Sequence, residues 1–428
     1  MIVLKSNSKN FYKSLDNLLS KRKKKLKASS VSVTKIINDV KKNGDKAVLK
    51  YERKFNKNNI IVPSAKQRNK SIKSLDKKVK KAIDEAYNRI YKFHSLQKFK
   101  NISYIDKHKN KIDYKYLPLE SVAIYVPGST ASYPSTVLMN AIPAIVAQVK
   151  RIVMINPGYK GKQNPAVLYA AKKCKIKEIY SIGGASAIAA VTYGTKKIRP
   201  VNKVIGPGNQ FVSAAKKEVS GDIGIEAMTA GPSEVLIVAD KSSNPEWLAS
   251  DLLGQAEHDQ LAQCILISKD KNILEETKKE VFEQLKHLPR SSIAKKSLMM
   301  NGILIYVNSD NKIIEIINKI GPEHLELNIK NYKSFVTKIK NAGSVCSGKY
   351  AVMAMTDYGA PGSNHVLPTD SSSKYSSGLN VSEFMKKISF INLSKKGIES
   401  LGPSVITLAN YEGLAGHAQS VKKRIRRK

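Results

Sequence analysis

The stretch GPEHLEL (321–327) sets a carboxylate, Glu323, beside an imidazole, His324, directly after a proline. Two such groups can share acid/base work on one substrate. The same stretch also reads as the polar start of a helix, and the residues alone leave both readings open. In DLLGQAEHDQ, predicted to be helical, Gln255 and His258 fall three apart on one face while Leu252 and Leu253 turn inward. That spacing suits two ligands of a metal ion, and equally a surface pair. Glu257, next to His258, points about 100° around such a helix and is a poor partner for it.

Two further stretches carry polar groups of the same kind. TDYGAPGSNHVLPT (356–369) holds Asp357 and His365 in a Gly- and Pro-rich segment predicted to be a loop. Carboxylate and imidazole are suitable ligands for a borderline divalent cation such as zinc, and Asx-type turns use the same residue types. YEGLAGH (411–417) places Glu412 and His417 close to a basic terminus, where a histidine is exposed unless the segment docks.

The elements that must position these groups follow from hydrophobic spacing. Residues 10 to about 100 carry apolar side chains at three- and four-residue intervals and read as helices. From about 118, short β-rich runs end in Gly or Pro and lead into helical stretches: SVAIYVPGS, RIVMINPG, EIYSIGGAS and NKVIGPGNQ. EVLIVAD, QCILISKD and GILIYVNS begin a second such series. Repeated strand–helix units predict parallel sheets with crossover helices, a doubly wound α/β arrangement. No G-x-G-x-x-G follows the first strands. GGAS (183–186) and GPGN (206–209) sit at strand-to-helix turns, where a helix N-terminus favours an anion and where glycine also serves backbone geometry alone.

A chain of 428 residues is long enough for two to four cores. Its 74 Lys and Arg outnumber 34 Asp and Glu, a formal charge of +40 that raises nucleic acid as a partner. The distribution argues otherwise: residues 1–100 hold 29 basic and 7 acidic residues, residues 221–270 hold 2 and 9, and no aromatic-interleaved or finger pattern accompanies the lysines. No apolar run reaches membrane-spanning length, and the N-terminal stretch lacks a secretory signal. Three widely spaced cysteines, Cys174, Cys264 and Cys346, fit reduced thiols in a cytoplasmic protein.

Taken in order, YVPGSTASYPSTVLMNAIPA, SIGGASAIAA, IGPGNQFV, AGPSEVLIVAD, DLLGQAEHD, GPEHLEL, SNHVLPT and YEGLAGHAQSV resemble the histidinol dehydrogenase family, from about residue 30 to near the end. The resemblance implies a cytoplasmic homodimer that binds zinc and uses two NAD+ to take L-histidinol through L-histidinal to L-histidine, with no nucleic-acid or membrane partner. It implies Gln255, His258, Asp357 and His417 as zinc ligands, the last from the partner subunit, and Glu323 and His324 as the acid/base pair. Ser233, His365 and Glu412 then contact substrate, together with the zinc ligands and His324. Tyr125, Ser186 and Asn209 lie near the dinucleotide, with Ser186 standing where the family usually has Gln. A dehydrogenase of the same scaffold acting on a small polyol or sulfonated diol is the enzymatic alternative.

The expected architecture is two incomplete Rossmann-like units with small terminal helical pieces. Residues 1–20 form an arm and 21–120 the helical part of the first α/β domain. Residues 121–233 form the second Rossmann-like domain, and 234–375 the α/β part of the first, with the zinc and acid/base motifs. Residues 376–428 form a small C-terminal domain and tail.

Overall fold

The structure is a computed structural model that describes residues 1–26, 30–128, 133–158, 162–226 and 231–425. The middle of VPGSTASYP and the residues just before GPSE lie outside the described set. A compact unit of residues 1–97 and 120–384 carries two parallel sheets, and residues 98–119 with 385–428 form a second, smaller unit.

The larger sheet runs in the order β1 (Ile2–Lys5), β11 (Gly302–Tyr306), β10 (Gln263–Ser268), β9 (Glu234–Ala239), β12 (His324–Asn328), β13 (Ser344–Ser347), every pair parallel. β9, β10 and β12 are buried along their whole length. The near-continuous apolar runs of β9 and β10 suit strands covered on both faces, whereas β12 alternates His324, Glu326 and Asn328 with leucines. Alternate residues point to opposite sides. Val235, Ile237 and Leu266 pack with Leu248 and Leu252 on one face, and Leu236, Val238 and Ile265 pack with Phe11 and Ile317 on the other. β1, too short to show a period, was not foreseen and adds a parallel edge beside β11.

The second sheet has the order β6 (Glu178–Tyr180), β5 (Arg151–Ile155), β4 (Ser121–Tyr125), β7 (Lys203–Ile205), β8 (Gly224–Ile225), again all parallel. Strand order reverses between β4 and β7. A crevice therefore opens beyond their carboxyl ends, where doubly wound sheets take ligands. The chain leaves β4 through residues 126–128 and β7 through 206–209.

The smaller unit pairs β14 (Met385–Asn392), β3 (Lys111–Pro118) and β2 (Ile102–Ile105) antiparallel, followed by helices Lys395–Tyr411 and Ala415–Ile425. The terminal piece expected to be helical thus begins with a strand, whose mostly exposed residues carry no clear alternation. The two helices pack closely at Gly402, where a Cβ would overlap Ile425.

Candidate active site

Glu323 and His324 are placed by the end of a helix. Ser309 caps helix Asp310–Ile320 by accepting from the Lys312 N–H at 3.3 Å. Gly321 ends it in the left-handed conformation, φ 58°, with its N–H donated to the Ile317 carbonyl at 2.8 Å. Pro322 cannot donate to a continuing helix. Glu323 therefore leads into β12, which His324 opens, and the stretch GPEHLEL does not start a helix.

Both side chains are buried. Oε2 of Glu323 accepts the Glu234 N–H at 2.8 Å, while Oε1 lies 3.9 Å from His324 Nε2. Burial holds the Glu323 carboxyl well above the usual range, with the Glu234 and Asp357 charges adding and the Glu234 N–H and Arg22 opposing. Burial likewise depresses His324 to about 3, helped by His365 and His258. His324 is neutral at physiological pH, with Nε2 also 3.8 Å from Asp357 Oδ1 and Nδ1 unpartnered.

Gln255 lies on helix Pro245–Ala256, started by Asn244, whose side chain accepts the Glu246 N–H at 2.8 Å. That helix stops at Ala256, short of the predicted His258, which occupies the following turn with its N–H on the Gln255 carbonyl at 3.2 Å. Gln255 is fully buried, and among the described residues neither its Oε1 nor its Nε2 has a hydrogen-bond partner. Asp357 is not in a loop as predicted but ends the short helix Met353–Asp357. Burial raises its carboxyl to about 6, opposed by His258. Burial also lowers His258, with Asp357 opposing and His365 adding, so these three groups share one electrostatic field.

His365 Nδ1 sits 2.8 Å from the Asp357 carbonyl. A carbonyl only accepts, so Nδ1 carries the proton and Nε2 keeps its lone pair. Burial depresses this imidazole to about 4. Ser233, half-buried just before β9, accepts the Gln263 N–H on its carbonyl at 3.0 Å. Glu412 and His417 are exposed residues of the smaller unit, a separate body from the others.

Two acidic residues that the motifs did not single out belong to these surroundings. Glu326, two positions along β12 from His324, accepts the Met353 N–H at 2.6 Å and so holds the helix that ends in Asp357. The Asp251 carboxyl, one turn before Gln255, acts on Glu326 electrostatically. Burial raises Glu326 strongly, with the Asp251 charge adding, and raises Asp251 to about 6. The i+2 and i−4 spacings from known candidates were the signal that would have found them.

In the second sheet Tyr125 ends β4 with its hydroxyl accepting the Gly184 N–H at 3.1 Å, and burial raises it to about 12. Glu52 Oε1 accepts the Gly183 N–H at 2.7 Å, and Ser186 Oγ donates to the Gly183 carbonyl at 3.1 Å. Asn209 caps helix Gln210–Glu218, accepting from Phe211 and Val212 N–H at 3.1 Å each. Gly183 and Gly184 N–H are thus engaged by the protein's own oxygens, as are those of Phe211 and Val212 at the start of the helix that follows GPGN. Tyr125 and Asn209 still flank the β4/β7 crevice.

Comparison with known proteins gives a consistent set of likenesses. The histidinol dehydrogenase family model matches residues 19–425. A histidinol dehydrogenase of Pelagibacter ubique is 76% identical over 426 residues, covering 100% of this chain and 99% of the relative. Histidinol dehydrogenase 1 of a Nostoc species is 42% identical, covering 99% of each. The crystal structure of histidinol dehydrogenase from Elizabethkingia anophelis superposes with a TM-score of 0.90 at 38% identity, over 99% of this chain and 98% of that one.

Proposed function

The chain belongs to the histidinol dehydrogenase family, whose NAD-linked oxidation of L-histidinol through L-histidinal to L-histidine is its activity in histidine biosynthesis, and from that premise we propose how its residues divide the chemistry. In the first oxidation the substrate hydroxyl proton goes to Nε2 of neutral His324 while the carbon-bound hydrogen leaves as hydride. NAD+ accepts that hydride and a second one later. An alcohol proton is too weakly acidic to leave unaided, and such a base is typically worth about 10²–10⁴ in rate.

The aldehyde must then gain an oxygen. Glu323, as carboxylate, takes a proton from water through Oε1 as the water oxygen bonds to the carbonyl carbon, while His324 returns the proton it took in the first oxidation to the carbonyl oxygen, giving the hydrate and a neutral imidazole. His324 takes a hydrate hydroxyl proton as the second hydride departs, leaving the carboxylic acid product. The observation that carries this reading is the asymmetry of Glu323: Oε2 is anchored on a backbone N–H and Oε1 is left facing His324.

Zinc fits the residues present. The two orphaned polar atoms of buried Gln255 call for a partner, and an amide oxygen, an imidazole and a carboxylate are acceptable zinc donors. Among the described residues no three His, Cys, Asp or Glu side chains gather into a site by themselves. The proposed set includes only two of those types on the larger unit, with Gln255 as the third donor and His417 of the partner subunit as the fourth. Bound there, zinc would fix the substrate's amine and imidazole, which lowers the entropic cost of alignment. Ser233, His365 and Glu412 complete the substrate's surroundings, and Tyr125, Ser186 and Asn209 those of the dinucleotide.

A homodimer with composite sites has support in the smaller unit. Leu401, Val405 and Leu408, on one face of helix Lys395–Tyr411, are 41%, 45% and 62% exposed, and Tyr411 is 92% exposed. That unpartnered stripe sits on the unit that carries Glu412 and His417. A second copy of the chain would cover it. No helix among the described residues is long and apolar enough to cross a membrane. Three buried free thiols suit a reducing cytoplasm. The test is stoichiometric: zinc-replete protein with NAD+ should give two NADH and one L-histidine per L-histidinol, and absence of turnover sinks the assignment.

A further inference from the structure

We propose that Glu234 is the positioning residue for Glu323, acting through a two-way backbone–carboxylate clasp that Arg22 secures; this rests on the reading of Glu323 as the base for water. Glu234 opens β9 and Glu323 immediately precedes β12, adjacent strands whose register pairs His324 with Val235. The Glu234 N–H donates to Glu323 Oε2 at 2.8 Å, and the Glu323 N–H donates back to Glu234 Oε2 at 3.3 Å. Each residue thus holds the other's main chain with its own carboxylate. A carboxyl group with both oxygens free turns easily about its terminal bond. With Oε2 engaged, Oε1 is the oxygen presented toward His324.

Glu234 is itself fixed. Its Oε1 accepts the Asp370 N–H at 3.0 Å and a hydrogen bond from Arg22 Nη1. Arg22, on helix Phe11–Leu26, further donates Nη2–H to the Pro232 carbonyl and Nε–H to the Leu261 carbonyl, the latter at 3.0 Å. Arg22 and Glu234 are only 4% and 3% exposed, so their charges offset each other in a site nearly free of water. The offset matters for Glu323. A bare buried carboxylate beside it would favour its protonated form, which cannot accept a proton from water.

Glu234→Gln keeps the size of the side chain but cannot accept from Arg22, Asp370 and Glu323 together. NADH formation from L-histidinol and from L-histidinal, measured separately, should show histidinal oxidation slowed at least ~10-fold more than histidinol oxidation, the loss expected of a misaimed group. Glu323→Gln should show the same split, and the double variant should be no slower than Glu323→Gln alone, because one action is removed twice. Arg22→Lys, a milder change that loses the fork, should give the same split in smaller measure and serves if Glu234→Gln does not fold. Equal losses in both half-reactions, or losses that multiply in the double variant, overturn the inference. If Glu323→Gln shows the split and neither the Glu234 nor the Arg22 variant does, this inference alone falls. If Glu323→Gln slows both half-reactions equally, the water-base reading falls with it.

Discussion

Replacing Gln255 with Met should move stability and metal affinity in opposite directions. Both polar atoms of Gln255 are buried with no hydrogen-bond partner among the described residues. An unsatisfied buried polar atom costs about 1–3 kcal/mol, so the pair costs the metal-free fold roughly 2–6 kcal/mol. A methionine of similar volume fills the same space without that cost. Gln255→Met should therefore stabilise the metal-free protein by about 2 kcal/mol or more. Zinc should narrow that gap by up to about 2.7 kcal/mol at a hundred times its dissociation constant, since the ion stabilises wild type by that much and a variant short of a ligand by much less. Urea unfolding in chelator and in excess zinc reads both effects. Trp247, the single tryptophan, lies on the same helix and reports its unfolding. A variant less stable than wild type in chelator refutes the reasoning, because the amide would then have been satisfied all along.

Glu323→Gln should spare histidinol oxidation relative to histidinal oxidation, since only the latter needs activated water; equal losses in the two assays remove that role. His258→Asn and His417→Asn homodimers should each be inactive and zinc-poor, whereas subunit exchange between them should restore about a quarter of the sites, because half the dimers are mixed and each holds one intact site. Exchange verified by mass with no recovery of activity puts His417 outside a shared site. His324 also makes metal-free stability depend on pH. Its folded value, about 3, lies below the unfolded value near 6.5, so the unfolded chain binds the proton first. The contribution is whole above about 6.5 and is lost as pH falls toward 3, so the stability gap between wild type and His324→Asn should shrink over that window. Parallel pH curves for the two proteins count against a buried neutral imidazole.

Much of the fold was legible in the sequence because its signals are local. EVLIVAD and QCILISKD read as buried strands from side-chain type alone, and β9 and β10 lie there. β1 and β14 were not legible: one is too short to show a period, and the other is too exposed for burial to impose one. The candidate residues were found as motifs, yet their local settings were partly misjudged. His258 lies past its helix and Asp357 ends one, because capping and turn geometry decide such boundaries within a residue or two.

Which groups meet was decided by tertiary structure. The usual rule sends ligands to the carboxyl ends of parallel strands, but Glu234, Glu323 and His324 gather at the amino ends of β9 and β12. Glu323 and His324 stand side by side in the chain, and their residue types made them candidates for acid/base work while leaving the helix-start reading open. Which oxygen of Glu323 is free, and that His324 is neutral, depends on strand register and burial, which no local spacing encodes. The Arg22–Glu234 contact spans 212 residues of chain. Among the many basic residues of the N-terminal region nothing in the sequence distinguishes Arg22, because only its contacts with Pro232, Glu234 and Leu261 at the amino ends of β9 and β10 take that guanidinium out of water.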